Sequence, residues 1–493
     1  MSSTTAELRG LRQQIRVWRR GRADTRLIDA VSDAYIALFA TAMLTSMAVS
    51  VVVNVRSVAG DACSSVACTD ARAALPWLFG VSLVAGTLGV SRLFGPLLVS
   101  PAVATWLLPT PVDRRALLRN RLAGTGAVAV LLSAVLSAGA ATLAGFPASE
   151  VVSYAGCVAA TCLLAVGAAA VCQAARSRVA QALTWLLAAA VWAGLLLLTF
   201  DAVPAGASAS RVGTGWWVAV AFLVVVALVA AQRAYAGLPR LGRDQLTPGG
   251  SLVPGLSGAL ASLDFALVYD VLVARHWRSR STVRVVRGRG LGPSTLVWRE
   301  VVRLRRTPQV LVVLAGSSVL PYLGATLGLG RADLLVATTT GFLASIGMFS
   351  SLRVLSRTPS LVRCLPLTPA QVRTACLSVP AAVVLVWALA GVPAIGAALH
   401  APTGEAVALG LAVGVTAVTA VVRWVTGRPP DYQLPLVTSP MGAVPTSLYV
   451  SAARGFDALL LGSAPLLIVP TLTGAEISIG LDLVVLAILL NRK

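Results

Sequence analysis

The sequence predicts an all-α polytopic membrane protein of about twelve transmembrane helices. They form two parallel six-helix repeats with cytoplasmic amphipathic helices. Three observations predict this. The 493 residues are 57% hydrophobic and 12% charged, with a mean hydropathy of +0.83, a balance soluble chains do not carry. The apolar residues gather into runs of about twenty, the length that crosses a bilayer at ~1.5 Å per residue. A stretch lying between two such runs, WLLPTPVDRRALLRNR at residues 106–121, returns once as CLPLTPAQVRTACL at residues 364–377.

Both copies read as apolar residues, a Thr-Pro pair, a short polar step, then Arg and a fresh helix. Thr110 and Pro111 match Thr368 and Pro369, Arg115 matches Arg373, Leu107 matches Leu365, and upstream Pro101 matches Pro359. The offset is constant: 369 − 111, 373 − 115 and 359 − 101 all equal 258. A second theme repeats at 298 − 18 = 280, where Trp18-Arg19 returns as Trp298-Arg299. The two offsets differ by 280 − 258 = 22. The outer loop around Cys63 and Cys68 accounts for the difference, because its counterpart around Arg331 and Asp333 is minimal.

In chain order, residues 1–30 read as a basic amphipathic helix. Leu8, Leu11, Ile15 and Trp18 recur at helical spacing among arginines that include Arg19, a pattern suited to the membrane interface. No apolar core of a signal peptide precedes the first span. Residues 31–236 hold the first unit, with spans near 31–55, 74–93, 122–146, 151–173, 182–200 and 216–236. Cys63 and Cys68 fall in a polar, outward loop, a setting that suits a disulfide. Between the second and third spans, Pro109 and Pro111 bias their neighbours away from helix, and Asp113 is placed to cap the helix that follows. Arg114, Arg115, Arg119 and Arg121 put this elbow in the cytoplasm.

Residues 237–308 form a strongly basic linker, hence cytoplasmic. Its apolar piece, residues 252–273, reads as an amphipathic or re-entrant pair, and LVWREVVRLRR at 296–306 repeats the N-terminal theme. Residues 309–493 hold the second unit, with spans near 309–329, 334–352, 375–399, 405–422, 458–474 and 477–490. Both termini then lie inside. Six spans per unit is an even number, so the second unit enters in the same orientation as the first, which leaves a cavity or interface between halves.

The formal net charge is +21, nearly all Arg, and Lys493 is the only lysine. Loop retention and anionic lipid account for this charge, and nucleic acid is not required. Without another lysine no GxxxxGK[ST] phosphate loop exists, so the chain binds no ATP that way. The spans are nearly clear of ionisable residues. Asp482 is the exception, read here as lying near the outer interface with Glu476. His276 and His400 fall at loops or span ends, and Cys157, Cys162 and Cys172 share one apolar span as core residues. No nucleophile–base pair, carboxylate cluster or metal set stands out, and no enzyme activity is expected.

The elbows, with their preceding spans and basic helices, resemble those of ABC-type exporter permeases, whose turn reads LP-x-x-R-x-x-L. Leu108-Pro109 leading to Arg115 and Leu118 follows that order of residues with a longer step before the Arg, as does Leu365-Pro366 leading to Arg373 and Leu377. The resemblance implies that Pro109, Thr110, Pro111, Arg114 and Arg115 form one coupling element, and Pro366, Thr368, Pro369 and Arg373 the other. Each would meet a separate ATPase subunit that carries the ATP, in a bacterial plasma membrane, with room for a second permease chain. The second copy departs in having Gln371-Val372 where the first has Asp113-Arg114, so the two elbows cannot meet a partner identically. A secondary carrier with two six-span halves and a non-transporting membrane scaffold are the competing expectations.

Overall fold

A computed structural model describes residues 66–99, 101–106, 110, 113–200, 215–242, 245–246, 285–427, 436–439, 442–445 and 453–491, with isolated helical positions before residue 66. The expected span at 31–55 and the apolar piece at 252–273 lie outside the described residues. Within them, ten helices are long and apolar enough to cross a membrane.

The first half runs α1 (Val66–Phe94), a short α2 (Pro101–Trp106), α3 (Arg114–Ala144), α4 (Ala148–Ala174), α5 (Val179–Thr199) and α6 (Gly215–Gly237), which a 3-10 turn, Leu238–Arg240, extends. Sequence decides where these helices stop. Gly145 ends α3 in the left-handed conformation at φ 90°, its N–H returning to the carbonyls of Ala141 and Thr142. Pro147 then stands as the extended N-cap of α4. α4 is the most enclosed of the described spans of this half and packs on α1, α3 and α6. Its buried Tyr154 donates a hydrogen bond to the carbonyl of Pro76 in α1, and Gly80 makes room for the phenol, since an added Cβ would lie 2.9 Å from that hydroxyl.

The second half begins with an amphipathic α7 (Pro293–Arg306). It buries Leu296, Glu300 and Leu304 on one face and exposes Arg299 and Arg305 on the other. Thr307 alone separates it from α8 (Pro308–Ser317), which continues after a break at Ser318 as α9 (Val319–Thr326). Next come α10 (Ala332–Ser345), a 3-10 turn (Ile346–Phe349), α11 (Ser350–Arg357) and a short α12 (Pro359–Arg363). After these come α13 (Pro369–Ala390), α14 (Val392–Leu399), α15 (Thr403–Val425), α16 (Phe456–Ile468) and α17 (Leu472–Asn491).

Some expected spans are therefore subdivided. Residues 375–399 are broken at Gly391 between α13 and α14, and 334–352 contain the 3-10 turn. The last two runs divide earlier than the apolar pattern suggests. Val469 precedes Pro470, which disfavours helix there, so α16 ends at Ile468 and α17 starts at Leu472 rather than near 477. The chain is also not purely helical. A two-stranded antiparallel hairpin, β1 (Leu436–Ser439) and β2 (Gly442–Pro445), lies between α15 and α16, pairing Leu436 with Pro445 and Ser439 with Gly442.

α15 is the most enclosed span of the second half and packs on α10, α13, α16 and α17. It plays the part that α4 plays in the first half, and it too starts after an extended proline N-cap, Pro402. The two halves touch where α1 and α5 meet α9. Ala71, Leu198 and Leu323 form one buried cluster there, and Trp192 Nε1 donates to the carbonyl of Gly316 at 3.2 Å. Cys68 Sγ lies 3.5 Å from the carbonyl oxygen of Leu327.

Candidate functional site

The second elbow connects α11 to α13. Pro359 starts α12 and Arg363 ends it. Residues 364–367 turn the chain, and Thr368 caps α13 with its backbone extended at φ −71°, ψ 151°. The cap is reciprocal: Gln371 N–H donates to Thr368 Oγ1 at 3.3 Å, and Thr368 N–H donates to Gln371 Oε1 at 3.0 Å. Pro369 occupies the first helical position, where its missing N–H costs nothing. Thr368, Pro366, Pro369 and Gln371 are exposed, whereas Val372 and Cys376 are buried against the helices behind.

Arg373 turns inward. Its Nη1 donates to the carbonyls of Leu489 at 3.3 Å and Leu490 at 3.1 Å, at the end of α17. Those carbonyls belong to the last turn of a helix, where no intrahelical N–H reaches them and the helix dipole favours a cation. Beside it lies a cavity of about 320 Å³, walled by Leu355, Pro359, Arg363, Pro369, Arg373 and Leu489.

At the first elbow, Thr110 is an exposed bend, while Pro109 and Pro111 lie outside the described residues. Asp113 is the N-cap of α3, its Oδ1 accepting from Arg115 N–H at 2.9 Å. Arg114 Nη1 donates to the carbonyls of Leu241 at 3.2 Å and Pro239 at 3.5 Å, just past the end of α6. Leu118 is buried and joins Leu238, Leu241 and Leu246 in one apolar cluster. Arg115 is exposed.

The same connection thus recurs in both halves: an arginine in the opening turns of the helix after the elbow ties that helix to the carbonyl end of the half's last helix. The constant offset pairs Arg373 with Arg115, yet Arg114 makes the tie in the first half. The helix starts explain the change. The offset places the counterpart of Pro369 at 369 − 258 = 111, but α3 starts at Arg114.

Around the second elbow, α7 supplies further fastening. Glu300 is fully buried and pairs with Arg303 at 2.8 Å, and Arg303 also donates to Ser350 Oγ at 2.7 Å and to the carbonyl of Met348. Trp298 Nε1 donates to the carbonyl of Arg287 at 3.4 Å, and the guanidinium of Arg289 lies 5.0 Å from the Trp298 ring. Arg299, its sequence neighbour, is exposed. The earlier pair, Trp18 and Arg19, lies outside the described residues. Cys68 is disulfide-bonded, and Cys63 also lies outside them.

Two groups carry no signal at a repeated position. Arg423 pairs with Asp457 at 3.0 Å, joining α15 to the start of α16. Asp482 is 2% exposed and accepts from Thr416 Oγ1 at 2.5 Å. It is the eleventh of the twenty residues of α17, so it sits mid-span rather than near the outer interface. The earlier helix start corrects that expectation. Among the described residues no group of three or more His, Cys, Asp or Glu could hold a metal.

A family model matches residues 68–435, about three quarters of the chain. The chain belongs to DUF6297, a family of unknown function. The matched residues take in both elbows and α7, and stop just before β1. No curated protein matches the chain.

Proposed function

We propose that this DUF6297 protein is the membrane-spanning permease subunit of an ATP-driven ABC-type exporter, and that a separate ATPase chain meets it at the two elbows. The observation that carries this reading is the repeated tie. Arg114 bonds to the carbonyls of Pro239 and Leu241, and Arg373 to those of Leu489 and Leu490. A push on either elbow is therefore delivered to two helices of its half at once. Two copies of one six-helix unit, with their elbows on the cytoplasmic face, give a partner two such handles. The near-repeat of packing around α4 and α15 supports the two-unit arrangement. The exposed arginines Arg115 and Arg363 offer contacts to a partner without serving as ties.

The test is purification of the full chain in detergent, as wild type and as the pair Arg115→Glu with Arg363→Glu. An ATPase that accompanies the wild type and is lost from the variant, with melting unchanged, supports the coupling surface. A folded wild type that brings down no ATPase from its own host removes the reading.

The buried mid-span carboxylate of Asp482 favours a second reading, a secondary carrier with two six-helix halves, since ion-coupled carriers keep such groups at the bilayer centre. Transport by reconstituted chain driven by an ion gradient without nucleotide separates the two.

A further inference from the structure

We propose that Asp482, Thr416, Ser478 and the carbonyl of Gly462 form a binding site for one monovalent cation, a proton or an alkali ion of sodium's class. The site needs no ATPase and stands whether or not the elbows bind one.

Its position is the first observation. Asp482 lies 482 − 472 = 10 residues after the start of α17 and 491 − 482 = 9 before its end. Thr416 lies 416 − 403 = 13 after the start of α15 and 425 − 416 = 9 before its end. Both are thus more than ~13 Å from either helix end. The second observation is enclosure. Asp482 is 2% exposed, and Thr416 and Ser478 are fully buried.

The third is the ligand set. Thr416 Oγ1 donates to Asp482 Oδ2 at 2.5 Å and stands 3.3 Å from Ser478 Oγ, which donates to the Gly462 carbonyl at 2.8 Å. Three helices, α15, α16 and α17, so converge on one string of oxygens. Position 462 has no side chain to spare. An added Cβ would stand 2.8 Å from both Asp482 Oδ2 and Thr416 Oγ1, so glycine is what lets the α16 backbone come this close.

A lone ionised carboxylate in hydrocarbon is expensive and calls for a compensating positive charge. The charged and titratable side chains on the packed helices are engaged elsewhere or stand at other levels. Arg373 of α13 goes to the end of α17, Arg423 of α15 pairs with Asp457 of α16, Glu405 opens α15, Cys376 lies in the cluster behind the elbow, and Glu476 of α17 is exposed. An arrangement of carboxylate, hydroxyl and carbonyl oxygens suits a hard cation, and hydroxyls can turn their lone pairs toward one. One carboxylate balances one positive charge, which selects a monovalent ion over a divalent one.

The experiment uses the full chain purified in detergent, as wild type, Asp482→Asn and Thr416→Val. Melting is followed as sodium chloride replaces choline chloride at constant ionic strength. The infrared carbonyl band of a protonated carboxyl is followed in parallel as pH is raised. Saturable stabilisation by sodium that Asp482→Asn abolishes identifies an alkali ion. A protonated-carboxyl band that fades with rising pH and is missing from Asp482→Asn, without a sodium response, identifies a proton. Thr416→Val should weaken the sodium response about tenfold through loss of an oxygen that faces the carboxylate, and should move the fading of the protonated-carboxyl band to higher pH because the hydroxyl it removes donates to the ionised form; it serves alone should Asp482→Asn fail to fold. An ionised carboxylate at every pH, indifferent to sodium, overturns the proposal.

Discussion

Arg373 and Arg115 are matched by sequence and differ in work. Arg373 feeds two carbonyls at the end of α17, whereas Arg115 is exposed and contributes its backbone N–H to the cap of its own helix. Replacing Arg373 with Met should cost about 1.5–3 kcal/mol, the range for hydrogen bonds made by a charged group. Arg115→Met should cost less than ~0.5 kcal/mol, as surface changes usually do. Thermal melting in detergent compares them. A second prediction concerns Gly462. Gly462→Ala forces a methyl group to 2.6 Å from Thr416 Cγ2, and overpacking of that kind costs about 1–3 kcal/mol. The same melting experiment reads it, and an unchanged midpoint would mean that α16 can shift away. The elbow arginines were legible in the sequence as a class, but not which of Arg114 and Arg115 makes the tie. That depended on where a helix begins, and thus on a contest between two capping residues. In the first copy both Thr110 and Asp113 can cap, and Asp113 does. In the second, the position of Asp113 holds Gln371, a poor N-cap but a good third residue of a capping box, so Thr368 caps.

At the scale of elements, these caps fix where the helix after each elbow begins. Thr368→Ala removes the acceptor for Gln371 N–H and should cost about 1 kcal/mol. Hydrogen exchange should quicken in the first turn of α13 and stay unchanged in α15. Exchange that quickens equally in both would show that the cap supports the whole unit rather than one turn. α7 was legible as an amphipathic basic helix because its arginines and leucines alternate at helical spacing. The pairing of Glu300 with Arg303 on its inner face was not, since a surface-helix pattern gives no reason to bury a carboxylate. The end of α16 shows the same limit. Hydropathy runs on through 474, but the proline at 470 stops the helix, and only that stop moves Asp482 to mid-span.

For the whole molecule, the polytopic helical class followed from composition and run length, and the ten long apolar helices among the described residues agree with it. The break at Gly391 and the strand pair at 436–439 and 442–445 left no periodic trace. Sidedness can be read with a residue the chain already carries. Of the free cysteines described, Cys157, Cys162 and Cys376 are buried, Cys172 is partly buried, and Cys364 on the second elbow is exposed. A membrane-impermeant maleimide should label Cys364 in inside-out vesicles and leave it unmodified in intact cells. The reverse pattern would put the elbows on the outer face and remove them from reach of any cytoplasmic partner.

The two arginine ties also set an order of manufacture. Arg114 leaves the ribosome 127 residues ahead of Leu241, and Arg373 leaves 117 residues ahead of Leu490. Each tie can therefore close only after the last helix of its own half has been made. The first half can be fastened before the second has been translated. A nascent chain arrested within α17 would hold one locked elbow and one loose.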